Sequence, residues 1–132
     1  MDFIFTLHSH FRWLVLTFAV ITILLYVQGW LSKRNFSKID KIVGLIFISI
    51  IDLQVLLGII NLISVAYKTQ EIHAKQVEHA GTMFCALGLV HLAARWKSKP
   101  DTLRFRNTGL FYFLALVLIF NGIIRLRGGL VW

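Results

Sequence analysis

The stretch IVGLIFISIIDLQVLLGIINLISVA, residues 42–66, decides the fold. It runs for 25 residues with a single ionisable side chain, Asp52. An α-helix rises ~1.5 Å per residue, so ~20 apolar residues cross the ~30 Å hydrocarbon core of a bilayer. Backbone groups in hydrocarbon must bond within their own segment, which leaves the helix as the natural conformation. Three further apolar segments flank this one, over residues 6–31, 77–96 and 108–124. None shows the short alternating pattern of barrel strands. Short connections make consecutive helices antiparallel neighbours. The expected architecture is therefore an all-α, up-down four-helix transmembrane bundle, one domain over residues 1–132.

Composition agrees with that reading. Of the 132 residues, 58% are hydrophobic and 15% charged, and the mean hydropathy is +0.75. A soluble domain of this size would lack the polar surface to stay in solution. The net charge of +8 does not point to nucleic acid, because the basic residues cluster in two loops. The first loop holds Lys33, Arg34, Lys38 and Lys41, and the third holds Arg95, Lys97, Lys99, Arg104 and Arg106. The middle loop holds only Lys68 and Lys75, a bias of nine to two. The positive-inside rule then places both termini outside and the basic loops in the cytoplasm. Trp13, Trp30, Trp96 and Trp132 fall near helix ends, as an aromatic belt requires. The lone Cys85 can form no internal disulfide and is expected to pack inside. Asp2 and the lack of a basic n-region mark the first helix as retained, not a cleaved signal.

Ionisable groups at membrane depth carry the functional information. His8 and Arg12 lie in the first turns of helix one, Glu78 and His79 open helix three, and Arg125 closes helix four. All five are expected on the outer layer. His8 and Arg12, at i and i+4, share a face, whereas His8 and His10 lie about 200° apart. His8 is therefore taken as the inward histidine. His79 shares a face with Met83. Two imidazoles from facing helices can hold a haem iron, and arginines at the water boundary suit its propionates. That assigns His8 and His79 as ligands, with Arg12 and Arg125 beside them. The plainer reading makes the same residues an interfacial layer, or a site for a bare metal ion, although no HExxH spacing is present.

Asp52 sits near the centre of helix two, where a charge costs about 2.5–3.5 kcal/mol. With no cation expected at its depth, it is either protonated or bonded to a ligand or a neighbouring subunit. Gln54, Gly58 and Asn61 line one face, which suits helix packing, although Gln54 and Asp52 could also bond a quinone headgroup. Gly81 and Gly88 are expected at a close helix contact opposite His79. His91 lies 12 residues beyond His79, ~18 Å deeper, and serves either a second site or a local hydrogen bond. His73, in the outer loop, receives no role. No nucleophile with its base and no phosphate-binding loop is present, so independent turnover is not expected.

The stretches LHSHFRW, DLQVLLGIINL and EHAGTMFCALGLVHLAARWKSK resemble small four-helix membrane proteins of Bacteroidetes-like bacteria, described as cytochrome b-like. The resemblance spans nearly the whole chain on short motifs. It implies haem b, electron transport in a bacterial inner (cytoplasmic) membrane, and the residues His8, Arg12, Glu78 and His79. The chain departs from the pattern at Asp52, where such proteins often carry histidine. The alternative is a cofactor-free accessory subunit of a larger respiratory or photosynthetic complex. A proton or ion conduit through Asp52 and His91 ranks third.

Overall fold

The computed structural model describes residues 3–129. Asp2 and Trp132 lie outside them. Four helices account for nearly all of this chain: α1 (Phe3–Leu31), α2 (Lys38–Thr69), α3 (Ala74–Leu92) and α4 (Asp101–Arg127), with a 3₁₀ turn over Ala93–Trp96 extending α3. No strand occurs among the described residues. Each helix, with α3 counted through Trp96, is long and apolar enough to cross a membrane.

All four helices begin before the apolar segments that announced them, and α2 and α4 also end beyond them, because their caps lie further out. Ser37 caps α2, and its own backbone N–H donates to the Asp40 carboxylate at 2.7 Å, closing a capping box. Gln70 ends that helix in the left-handed conformation (φ 57°), its N–H donating to the Ala66 carbonyl. Pro100 stands immediately before α4, where a missing N–H costs nothing, and Gly128 (φ 79°) closes it. Helix α3 behaves differently. It tightens at Ala93, so residues 93–96 are 3₁₀ and not α-helix.

The helices form a square. Helix α1 packs on α2 and α4, and α3 packs on α4 and only sparsely on α2. Across the diagonals, α1–α3 and α2–α4, the backbones do not approach closely, and only side chains such as Phe47 and Tyr112 reach across. Buried positions recur every three or four residues, as along Val15, Ala19, Thr22, Tyr26 and Gly29 of α1. Helix α4 contributes Phe105, Thr108, Tyr112, Ala115, Ile119 and Ile123 in the same rhythm. The outward faces are equally apolar, with Leu24, Leu56, Ile63, Phe113 and Val117 exposed. An apolar face on both sides of each helix is what hydrocarbon, not water, accommodates.

One end of the square is tightly closed. There the Asp40 side chain, 1% exposed, pairs with both terminal nitrogens of Arg34 at 2.6 and 2.7 Å. That carboxylate holds the Arg34 guanidinium protonated, above its ordinary range. Tyr26 donates to the Asp40 backbone carbonyl at 2.9 Å. The ring of Tyr26 touches Phe36, Phe105 and Tyr112, and the Phe36 N–H donates to Asp101 at 3.0 Å, tying the first loop to α4. Gly44 has no Cβ because Tyr26 Oη occupies that space, and a Cβ at Gly29 would come within 2.6 Å of the Phe105 ring.

Arg34→Ala is expected to cost about 3 kcal/mol, because it strands a buried carboxylate. Arg125→Ala, which breaks the exposed pair with Glu78, should cost no more than about 1 kcal/mol. Unfolding in detergent by increasing denaturant measures both. Equal losses would contradict the distinction.

Candidate functional site

The other end of the bundle stands open. Between the four helices lies a cavity of about 460 Å³. Its wall is apolar for most of its area, with Val15, Ile51, Leu62, Met83, Ile119 and Ile123 among the lining residues. Only a few polar side chains interrupt that wall, and the two histidines among them face each other.

His8 comes from α1 and His79 from α3, the helices on the open diagonal. Their ring centroids are 6.5 Å apart and their planes meet at 86°. His79 Nδ1 lies 3.1 Å from the Gly122 carbonyl of α4. A carbonyl can only accept, so Nδ1 carries the proton and Nε2 keeps the lone pair. A Cβ at Gly122 would have to displace Met83 Cε, the end of a flexible side chain, and would press on Thr82 at 3.3 Å. His8 lies against Gly58 of α2, where a Cβ would sit 3.0 Å from the imidazole. His8 Nδ1 is buried with no hydrogen-bond partner, and so is Gln54 Oε1. The Gln54 amide nitrogen donates to the His8 backbone carbonyl at 3.0 Å, which fixes the first turns of α1 against α2. His10 turns outward, its Nδ1 2.8 Å from the Thr6 carbonyl.

Arg12 and Arg127 both reach the cavity wall. Arg125, expected there from the sequence, does not line it. Its guanidinium pairs with Glu78 at 2.9 Å on the exposed surface. Two residues of helix correspond to about 200°, so Arg125 and Arg127 cannot share a face. Gln54, Gly58 and Asn61 do share one, and it is the cavity wall of α2.

Elsewhere the structure departs from expectation. Asp52 has a partner within its own chain: its Oδ1 lies 2.7 Å from His91 Nε2. The two residues are 39 apart in sequence, and only the crossing of α2 and α3 brings them together. Both side chains are about half exposed, at 46% and 52%, on the outside of the bundle and not in the cavity. Gly81 and Gly88 make no close contact, because nothing lies within 4 Å of either missing Cβ. They face outward, as does Cys85, which is exposed and free. His73 is exposed beside the turn into α3. Trp30 is exposed near the end of α1, Trp13 is exposed but lies ten residues inside that helix, and Trp96 packs half-buried against Phe111.

Comparison of the chain with family models, curated proteins and solved structures finds no match in any of the three. The class therefore rests on the fold and cavity themselves. It is a four-helix bundle with helices able to cross a membrane and a histidine-faced apolar cavity at one end.

The two facing imidazoles are the candidate ligands for a haem iron. A metal between two imidazoles separates the ring centres by about 6 Å, since each metal–nitrogen bond is ~2.0–2.1 Å. The observed centroid separation of 6.5 Å is close to that value. The pinned tautomer of His79 is the arrangement ligating histidines adopt. No cluster of three or more His, Cys, Asp or Glu side chains able to hold a metal ion occurs among the described residues.

Gln54→Leu removes one hydrogen bond and one buried, unpaired oxygen together. It is expected to change stability by no more than about 1 kcal/mol. A loss above about 3 kcal/mol in a detergent unfolding titration would mean that Oε1 is bonded in the folded protein.

Proposed function

We propose that this chain is a small integral-membrane electron-transfer protein, or such a subunit of a larger redox complex, holding one haem b between His8 and His79. The observation that carries the reading is the opposition of two imidazoles from diagonal helices across an apolar cavity, 6.5 Å apart, with one already oriented by a carbonyl. The haem supplies one-electron exchange at its iron. The protein supplies the rest. His8 and His79 ligate. Gly122 holds the His79 tautomer, and Gly58 makes room for His8. The aliphatic wall keeps water away, which favours the less charged, reduced state. Arg12 and Arg127 line the cavity wall and are the cations this reading assigns to the propionates. Arg125 is engaged by Glu78.

The membrane is a bacterial cytoplasmic one in this reading. The basic loops face the cytoplasm and the haem cavity faces the periplasmic side, because the positive charge gathers at the opposite end of the bundle. A cofactor-free accessory subunit is the second reading. Its original motive, an unpartnered Asp52, is gone, since His91 meets it. The outward glycines of α3 remain in its favour, as small residues suit a neighbouring helix. A conduit through Asp52 and His91 has less support, because the pair lies on the outer face of the bundle.

A reduced-minus-oxidised absorption spectrum of the protein purified from its native membrane decides between the first two. A b-type band is expected, lost in His79→Ala and retained in Arg125→Ala. A wild type without any Soret band would sink the haem reading.

A further inference from the structure

We propose that the Asp52–His91 pair forms a site for the headgroup of a lipid-soluble hydroquinone, approached sideways from the bilayer. The inference rests on the membrane placement proposed above, but not on the presence of haem.

Depth comes first. Asp52 lies 14 residues from Lys38 and 17 from Thr69, the two ends of α2. That is about 21 and 26 Å of helix on either side, far from both headgroup layers. Exposure comes next. The Asp52 and His91 side chains are 46% and 52% exposed, and at this depth their surroundings would be hydrocarbon. Each uses one polar atom on the other, at 2.7 Å. Asp52 Oδ2 and His91 Nδ1 have no further partner among the described residues. Unsatisfied polar atoms are costly in hydrocarbon, so their retention here points to a function.

The geometry around the pair narrows the ligand. Helices α2 and α3 meet only sparsely, which leaves the seam open. Ser49, one turn before Asp52, is exposed on the same face. Gly88, one turn before His91, has nothing within 4 Å of its missing Cβ, so the space beside the imidazole is open. A ligand here must dissolve in hydrocarbon and bond two polar atoms at once. A phospholipid headgroup does not reach this depth, and a cation would find too few oxygens. A hydroquinone satisfies both conditions, its hydroxyl donating to Asp52 Oδ2 while its oxygen accepts from the His91 Nδ1–H. Gln54, the other candidate from the sequence, is turned to the His8 carbonyl on the cavity side.

The full chain in phosphatidylcholine vesicles, with an azido-substituted short-tailed hydroquinone as photolabel, tests this. Label is expected on peptides covering residues 45–56 and 84–92, and an excess of short-tailed hydroquinone should suppress it. Asp52→Asn with His91→Gln should weaken the labelling about tenfold, the equivalent of one charge-assisted hydrogen bond. If that variant fails to fold, suppression in the wild type decides alone. Label spread evenly over the outward faces, or insensitive to competitor, overturns the proposal. So does an unlabelled seam in a chain that cross-links to a second copy through Cys85, because a protein neighbour then covers the pair. The absorption spectrum of the same sample separates the two readings. Competed label without a haem band supports this site and removes the haem, whereas a haem band with uncompeted label overturns this site alone.

Discussion

The Asp40 carboxylate is the fixed point of the molecule. It is nearly inaccessible, and it accepts from both terminal nitrogens of Arg34 and from the Ser37 N–H and hydroxyl. A buried carboxylate with fewer partners would destabilise the fold. With four, it sets the turn between α1 and α2 and starts α2 in one conformation. Tyr26 and Asp101 extend the same knot to α1 and α4. The aromatic rings above it, Phe47, Phe105 and Tyr112, then fill that end. Closure at one end is what allows separation at the other. The helices are held by their tied ends, so their far turns need not collapse on each other.

The cavity follows from that asymmetry together with glycine placement. Gly44 and Gly29 let helices approach at the closed end, where large rings take the space. At the open end, Gly58 and Gly122 make room for His8 and Met83. The histidines face each other across a diagonal on which the backbones of α1 and α3 stay apart. A square bundle offers two diagonals, and this chain places imidazoles on one of them. The chemistry proposed for the site thus depends on a packing decision made some distance away, around Asp40.

The four helices were legible because long apolar runs leave no alternative conformation. Their ends were not, since the caps at Ser37, Gln70 and Gly128 lie beyond the apolar positions that carry the signal. His8 could be separated from His10 by helical angle alone, and the same rule separates Arg127 from Arg125. Applied to α4, it would have put Arg127 at the cavity. The Arg34–Asp40 pair could not be read, because a short polar loop looks like any basic membrane-flanking loop. Nor could Asp52–His91, whose partners sit on different helices at no characteristic spacing. Gly81 and Gly88 misled because small residues signal a helix contact without saying whose helix supplies it.

Low-temperature electron paramagnetic resonance of the oxidised protein, purified from its native membrane, addresses the central claim most directly. Two imidazoles at 86° on one ferric iron give a low-spin, strongly anisotropic signal, because perpendicular ligand planes leave the iron d orbitals nearly degenerate. The account predicts that signal in the wild type and its loss in His8→Ala and in His79→Ala. A high-spin signal, or no haem signal at all, would contradict it.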